Sequence, residues 1–147
     1  MFILLVEDEE FYADLIRMYL EQNGYTDIKH VDNALECLQQ VREDRVPDLI
    51  ILDYFLGNLD GVSTLKQIKA YRPELKVILL SGQKDVKVAV QSIKKGAYEY
   101  VIKQGGAELA RVVSIIKEIE AETEQKKTSK PVKNFLTKVK SFLIDND

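Results

Sequence analysis

The sequence is poor in several residues that often mark special chemistry. Its 147 residues include one cysteine, one histidine, three prolines and no tryptophan. A single cysteine excludes an internal disulfide and a cysteine-rich zinc site, which favours a cytoplasmic location. No apolar run approaches the roughly 20 residues that span a bilayer, and the N-terminal apolar run lacks the basic flank of a signal peptide. We therefore expect no association with membranes through a spanning helix.

The residues that are present are typical of one soluble globular domain. Hydrophobic residues make up 46% of the chain and charged residues 31%, a balance that supports a folded core. The formal charge of −3 is unevenly spread, because the last 22 positions hold six of the 21 basic residues against two aspartates. The rest of the chain is acidic, which argues against direct DNA binding.

Short apolar runs alternate with longer helical patterns along the chain. The runs recur about every 25 residues, the rhythm of successive strand–helix units; they lie at 2–6, 28–31, 48–52, 76–81 and 98–102. The first, third and fourth runs are almost continuously apolar, as strands covered on both faces of a parallel sheet require. We therefore predict an α/β fold, a flavodoxin-like doubly wound (βα)5 sandwich with strand order 2-1-3-4-5.

Apolar stripes at helical spacing predict a helix after each strand. The stripes are Phe11, Leu15 and Met18/Tyr19; Leu35, Leu38 and Val41; Val62, Leu65 and Ile68; Val86, Ala89, Val90 and Ile93; and Leu109, Val112, Val113, Ile116 and Ile119. Asn33 is a suitable N-cap for the second helix, and Gly24 and Gly96 are typical stops for the first and fourth.

The C-terminal part departs from this alternation. Residues 120–131 are polar and end in Pro131, which predicts a break. An apolar stripe with lysines opposite it then predicts an amphipathic helix; the stripe is Val132, Phe135, Leu136, Val139 and Phe142/Leu143. We divide the chain into a domain at 1–124 and a linker with a basic amphipathic helix at 125–147. We expect this helix to dock on the domain or on a dimer mate; the alternative is an acidic membrane or partner surface.

Polar side chains follow four of the predicted strands. Glu7 and Asp8 come after the first strand and Asp53 after the third, and these strands are neighbours at the point where the strand order reverses. Three converging carboxylates without histidine or cysteine suit Mg²⁺. Ser81 and Lys103 end the fourth and fifth strands, so a hydroxyl and an ammonium group join the site. Together these groups would stabilise a phosphoryl group in transfer.

Four segments that contain these residues resemble one known family. They are "ILLVEDEE", "PDLIILDYFLGNLDG", "VILLSG" and "GAYEYVIK". Over residues 1–122 the chain resembles the receiver domain of response regulators in bacterial two-component signal transduction. The resemblance implies that Asp53 accepts a phosphoryl group from a histidine kinase and forms a reversible aspartyl phosphate. It implies a signalling domain that catalyses only its own phosphoryl transfer, rather than an enzyme.

The resemblance also implies a role for each matched site residue. Asp8 and Asp53 would bind Mg²⁺ directly, Glu7 would bind it through water, and the backbone carbonyl of Phe55 would complete the protein ligands. Ser81 would hydrogen-bond to the phosphoryl group and Lys103 would pair with it.

Two further positions match the family's aromatic switch residue and the small residue at the entrance to the phosphorylation site. Tyr100 matches the aromatic residue that turns inward when the hydroxyl at Ser81 moves toward the phosphate. Gly82 matches a position that is kept small so that the phosphoryl donor can enter.

The chain departs from the family pattern at three positions. Glu7-Asp8 stands where Asp-Asp is usual, which should preserve metal binding through water. Gln104 stands where the family has a proline with a cis peptide bond. Because a cis bond before a residue other than proline costs about 3–4 kcal/mol, we predict a trans Lys103–Gln104 bond and a remodelled loop through Gly105 and Gly106. Phe55 is bulky beside the acceptor, and we hypothesise that it hinders attacking water and lengthens the phosphoryl lifetime.

The resemblance leaves three functions open. A stand-alone receiver would signal by docking a partner, or by forming a homodimer, through the surface of its fourth helix, fifth strand and fifth helix. A phosphotransfer intermediate would exchange phosphate with a histidine phosphotransfer protein. A receiver cut from a longer regulator would lack its output domain.

Overall fold

The structure is a computed structural model that describes residues 1–57, 59–126 and 135–145. Its strands are β1 (Ile3–Val6), β2 (Ile28–Val31), β3 (Leu49–Asp53), β4 (Phe55–Leu56), β5 (Leu59–Asp60), β6 (Lys76–Ser81) and β7 (Glu99–Ile102). Its helices are α1 (Glu10–Gln22), α2 (Ala34–Arg42), α3 (Gly61–Tyr71), α4 (Val86–Lys94), α5 (Ala107–Lys126) and α6 (Phe135–Asp145). Among the described residues, no helix has the length and apolar character that crossing a bilayer requires.

Five of the strands form one parallel sheet, in the order β2-β1-β3-β6-β7. The short strands β4 and β5 form a separate antiparallel pair, so the predicted order 2-1-3-4-5 is confirmed for the main sheet. The register places Val6 at the end of β1 beside Leu52 in β3. Glu7 and Asp8 therefore leave the sheet at the same edge as Asp53, the last residue of β3.

Helices cover both faces of this sheet, which explains the continuous apolar runs of its central strands. All residues of β1 and β3 are buried, and alternate side chains enter two separate cores. Leu4, Ile50 and Leu79 join the core beneath α2, α3 and α4. The other core lies beneath α1 and α5 and contains Leu5 and Ile51.

Helix α1 forms where it is predicted but buries a different face, and α2 buries only part of its predicted stripe. In α1, the predicted stripe lies at the surface: Phe11 is 77% exposed and Met18 57%, and Leu15 is exposed as well. In α2, Leu35 is exposed, but the other two residues of the predicted stripe pack on the core: Val41 is buried and Leu38 is half-buried. The buried residues are Ala13, Ile16 and Leu20 in α1, none of them in the predicted stripe, and in α2 they include Ala34, Cys37 and the predicted Val41. Both sets have helical spacing, so the periodicity alone did not distinguish the core face from the surface face.

Other local predictions agree with the structure. The Asn33 side chain accepts a hydrogen bond from the Glu36 backbone N–H at 2.8 Å and so caps α2. The apolar stripe of α5 is buried throughout. Helix α5 continues to Lys126, however, past residue 120, where the polar linker was expected to begin, and past the boundary set at 124. The predicted break at Pro131 and the start of the last helix at Val132 lie outside the described residues.

Helix α6 docks on the domain, as expected for the C-terminal amphipathic helix. The Phe142 side chain is 3% exposed, and its ring packs edge-to-face against that of Tyr100 with centroids 5.7 Å apart. From α5, Arg111 Nη2 donates a hydrogen bond to Ser141 Oγ at 3.5 Å. Since α6 also packs on α4, the helix lies across the surface formed by α4, β7 and α5.

Candidate functional site

Three carboxylates meet at the carboxyl edge of the sheet. Glu7, Asp8 and Asp53 each offer an oxygen, and these oxygens lie within 4.8 Å of one another. Glu7 and Asp53 are buried, whereas Asp8 is exposed. The parallel register of β1 and β3 creates this arrangement, because it ends both strands at the same level. The site therefore has two inner carboxylates and one that faces solvent.

The ammonium group of Lys103 lies close to both inner carboxylates. Lys103 Nζ lies 3.1 Å from Asp53 Oδ1 and 3.7 Å from Glu7 Oε2. Burial raises the pKa of Asp53, and the Lys103 ammonium opposes that rise. Burial and the Asp53 charge together raise the pKa of Glu7 to about 7. Among the described residues, the site thus sets three carboxylates against the ammonium group of Lys103, which leaves an excess of negative charge.

The residues of this site fit a divalent cation. Glu7 Oε2 is buried and has no hydrogen-bond partner among the described residues. An unpaired buried carboxylate oxygen is costly unless a cation or a donor satisfies it. All the donor atoms are oxygens, which is the ligand type that Mg²⁺ selects. The cluster can therefore hold such an ion through Glu7, Asp8 and Asp53.

Ser81 and Tyr100 are connected through the loop that follows β6. The Ser81 Oγ accepts a hydrogen bond from the Gln83 backbone N–H at 3.0 Å. The Tyr100 hydroxyl donates to the Gln83 carbonyl at 2.9 Å, and both side chains are buried. A Cβ added at Gly82 would meet no atom of the described residues within 4 Å. Gly82 thus borders open space at the same edge of the sheet, whereas the Ser81 hydroxyl beside it is buried.

The segment after Asp53 turns back sharply. Phe55 lies in β4 with its side chain 52% exposed, and the β4–β5 pair leads directly into α3. A Cβ at Gly61, the first residue of α3, would come within 2.9 Å of the Tyr54 Cα. Glycine at position 61 therefore allows the start of α3 to approach the chain just beyond Asp53.

Three residues near the site were not predicted from the sequence. His30 lies in the edge strand β2, and its Nε2 donates to the Glu7 carbonyl at 2.7 Å and so supports the end of β1. Tyr12 and Glu108 form a hydrogen bond beside Lys103. The sequence offers one signal for His30: because the predicted order pairs β2 with β1 in parallel, the ends of these strands, and hence His30 and Glu7, lie close together.

The loop that follows Lys103 has the predicted backbone. The Lys103–Gln104 peptide bond is trans, and both Gly105 (φ 62°) and Gly106 (φ 103°) adopt the left-handed conformation that favours glycine. The chain thus places Lys103 directly after β7 and follows it with Gln104 and two glycines rather than with a proline.

These features define a class of doubly wound α/β domain that carries a cluster of carboxylates at the switch point of its parallel sheet. The family model for the response regulator receiver domain matches residues 3–117. The chain therefore belongs to the response regulator receiver family of two-component systems.

Its relatives include long and short proteins. The transcriptional regulatory protein ZraR of Klebsiella oxytoca is 35% identical over 101 residues, which is 69% of this chain and 22% of that protein. The chemotaxis protein CheY of Listeria monocytogenes is 31% identical over 69% of this chain and 84% of its own length. This chain thus spans about a fifth of the length of the ZraR relatives.

Solved structures of receiver domains are also similar to this chain. The crystal structure of the receiver domain of NtrX from Brucella abortus has a TM-score of 0.67 and 34% sequence identity, over 76% of this chain and 94% of that one. A CheY-like receiver domain protein from Methanospirillum hungatei has a TM-score of 0.74 and 27% identity, over 84% of this chain and 96% of its own.

Proposed function

We propose that this receiver domain accepts a phosphoryl group on Asp53 from a histidine kinase, and that the aspartyl phosphate controls partner binding. The observation that carries the proposal is the contact of 3.1 Å between Lys103 Nζ and Asp53 Oδ1, beside the carboxylates of Glu7 and Asp8. Membership in the receiver family supports the same reaction. We include the cytoplasmic location in this proposal, on the basis of the cysteine content.

In the proposed reaction, a carboxylate oxygen of Asp53 attacks the phosphorus of a phosphohistidine. A new O–P bond forms while the P–N bond breaks, and the leaving imidazole takes up a proton from solvent. Lys103 then pairs with a phosphoryl oxygen. The Ser81 hydroxyl accepts a hydrogen bond from Gln83 and keeps its own proton to donate to another phosphoryl oxygen.

Mg²⁺ is the cofactor that we propose for this site. Asp8 and Asp53 would bind the ion directly, Glu7 would bind it through water, and the Phe55 carbonyl would complete the protein ligands. When bound, Mg²⁺ would neutralise negative charge on the phosphoryl oxygens. The buried Glu7 Oε2 supports this assignment, because it accepts no hydrogen bond within the described residues and its contact with Lys103 Nζ is a long one of 3.7 Å.

The experiment that tests the proposal is phosphorylation of the full chain with acetyl phosphate and Mg²⁺, read by intact mass. We expect the wild type to gain one phosphoryl group and Asp53→Asn to gain none. Asp44→Asn, at an exposed position, is the control and should behave like the wild type. Equal modification of Asp53→Asn and the wild type would contradict the assignment of the acceptor. No modification of the wild type would instead favour a degenerate receiver that acts only by binding.

We propose that the output surface is the face of α4, β7 and α5, where a partner or a second copy of the chain would dock. Tyr100 lies in this face and reaches the Ser81 loop through the Gln83 carbonyl, which supports a link to the phosphorylation site. Because α6 lies across the same face, a partner must displace α6 or bind to the helix and the face together.

We propose that the phosphodonor protein docks on the outward stripe of α1. Phe11, Leu15 and Met18 form an exposed apolar strip, which is unusual for a surface that has no partner. The helix begins two residues after Asp8, and the Tyr12 ring lies 4.5 Å from Lys103 Nζ. A protein that carries a phosphohistidine would contact this strip as its imidazole approaches Asp53.

Two alternatives have separate tests. A phosphotransfer intermediate would pass its phosphate rapidly from Asp53 to a histidine of a phosphotransfer protein. The receiver part of a longer regulator would be continuous with an output domain, and the ZraR relatives, of which this chain covers 22%, support that possibility. The full gene boundary and phosphate transfer assays would distinguish them.

A further inference from the structure

A single buried carboxylate holds the loop that connects Lys103 to α5. Glu108 Oε1 accepts hydrogen bonds from the backbone N–H groups of Gln104 at 2.8 Å and Gly106 at 2.9 Å. Its other oxygen, Oε2, accepts the Tyr12 hydroxyl proton at 2.6 Å. Burial alone would raise the pKa of Glu108, but these hydrogen bonds outweigh it and lower the pKa below its ordinary value. Glu108 is therefore an ionised carboxylate with three donors.

Tyr12 links Glu108 to Lys103, because its hydroxyl binds Glu108 and its ring contacts the ammonium group of Lys103. The Nζ atom lies 4.5 Å from the ring centroid, within the range of a cation–π contact. The same Nζ lies 3.1 Å from Asp53 Oδ1. Lys103 is thus held between an aromatic ring and the acceptor carboxylate, and Glu108 fixes the position of the ring.

The loop needs such a restraint because of its sequence. Gly105 and Gly106 have no side chains, so their backbone can adopt many conformations. The Lys103 side chain adds further freedom, because its ammonium group is carried on a flexible four-carbon stem. A proline after Lys103 would restrict the backbone, but this chain has Gln104 there. The hydrogen bonds to Glu108 supply a restraint by a different route.

We propose that Glu108 and Tyr12 are positioning residues for Lys103 in phosphoryl transfer, and we refer to this pair as the Tyr12–Glu108 clamp. The inference rests on the proposed function. Neither residue touches the phosphoryl group; they act by holding the Lys103 ammonium where the phosphoryl oxygens will be.

The first test measures the initial rate of phosphorylation of the full chain by acetyl phosphate at saturating Mg²⁺. We expect Glu108→Ala to lower the rate by about 10-fold or more, since small displacements of a catalytic group have effects of this size. Glu108→Gln should recover most of the rate, because its amide oxygen still accepts the two backbone N–H groups. The Mg²⁺ dissociation constant, measured by calorimetry, should stay within about twofold of the wild type, because the clamp supplies no metal ligand.

The chain offers a matched control on the same helix. The Tyr25 hydroxyl donates to Glu120, so a second tyrosine–glutamate pair connects to α5 away from the site. Glu120→Ala should leave the phosphorylation rate unchanged. Thermal unfolding of each variant confirms that the protein is folded at the assay temperature.

A double-mutant cycle with Lys103→Ala gives the decisive result. If the clamp acts through Lys103, adding Glu108→Ala to Lys103→Ala should not slow the residual reaction further. Equal slowing by Glu108→Ala in both backgrounds would overturn the proposal, and so would an unchanged rate in Glu108→Ala alone. Failure of the wild type to be phosphorylated would refute the proposed function itself and is readily distinguished from these results.

Discussion

Glu7 and Asp8 are neighbours in the chain, yet the fold gives their side chains opposite environments. Glu7 is 2% exposed, whereas Asp8 faces solvent. Burial and the nearby Asp53 raise the pKa of Glu7 to about 7, so its carboxyl binds a proton near neutral pH when no cation is present. When this carboxyl is ionised, its buried charge weakens the fold unless a proton or a cation neutralises it.

This environment predicts a pH dependence of stability. The folded pKa of Glu7 lies above its ordinary value of 4.5, so the folded state binds more protons than the unfolded state. Stability present below pH 4.5 should therefore be lost as the pH rises through about 7. The measurement is urea unfolding in EDTA at several pH values. As the pH rises through this range, the free energy of unfolding of Glu7→Gln should fall by roughly 2–3 kcal/mol less than that of the wild type. Glu9→Gln, at an exposed position, should keep the wild-type slope; an unchanged slope in Glu7→Gln would contradict the prediction.

Phe55 provides a second prediction at this scale. Its ring packs edge-to-face on that of Tyr54 with centroids 4.9 Å apart, close to the acceptor in sequence. If the ring hinders water, Phe55→Asn should shorten the lifetime of the aspartyl phosphate several-fold, followed by intact mass after removal of the donor. Phe55→Leu keeps an apolar side chain and should change the lifetime less. Equal lifetimes in Phe55→Asn and the wild type would refute the hypothesis.

The sequence predicted those site residues that stand directly at strand ends. Asp53 and Lys103 could be located because parallel strands end at one edge of the sheet, whatever the details of their loops. The Tyr12–Glu108 clamp could not be predicted in this way. Its two residues are 96 positions apart, and their contact depends on how α1 and α5 pack and on the glycine conformations between them.

At the scale of elements, α1 shows the limit of reading a helix from its apolar spacing. The spacing of Phe11 and Met18 fits a helix as well as the spacing of the buried residues does, but these two side chains face solvent. The small Ala13, which is fully buried, lets the helix lie close to the sheet. Periodicity identifies a helix, whereas the buried face depends on what the neighbouring surface accommodates.

The outward stripe of α1 predicts a selective loss of function. Phe11→Ser combined with Met18→Ser should slow phosphorylation by a cognate histidine kinase but leave phosphorylation by acetyl phosphate unchanged. Because both side chains are exposed, stability should change by about 0.5 kcal/mol or less for each. Leu35→Ser, on the exposed face of α2, is the control. Equal loss with both donors would argue against a docking surface.

Helix α6 gives a second prediction for an element. Phe142 is its buried anchor, whereas Leu136 on the same helix is 75% exposed. Phe142→Ala should weaken the docking of α6 by roughly 3 kcal/mol and speed amide hydrogen exchange in α6, while the central strands stay protected. Leu136→Ala should leave exchange unchanged. If the two variants exchange alike, Phe142 is not the anchor.

At the scale of the whole molecule, the cation site and the fold should be thermodynamically linked. An ion that binds only the folded state adds about 2.7 kcal/mol at 100 times its dissociation constant. We expect Mg²⁺ to raise the unfolding temperature of the wild type in this way and to have little effect on Asp8→Asn. Glu10→Gln, which changes an exposed carboxylate of the first turn of α1, should respond like the wild type. Equal stabilisation of Asp8→Asn would mean that Mg²⁺ binds elsewhere.

The docked position of α6 also affects how the molecule behaves among its own copies. The sheet has two edge strands, and they differ in character. In β2, Lys29 faces solvent, whereas all four residues of β7 are buried and α6 packs beside them. An apolar strand at an open edge is a template for pairing with the strand of another molecule. Helix α6 packs against this edge strand, and we therefore expect the C-terminal segment to hinder such pairing between copies of the protein.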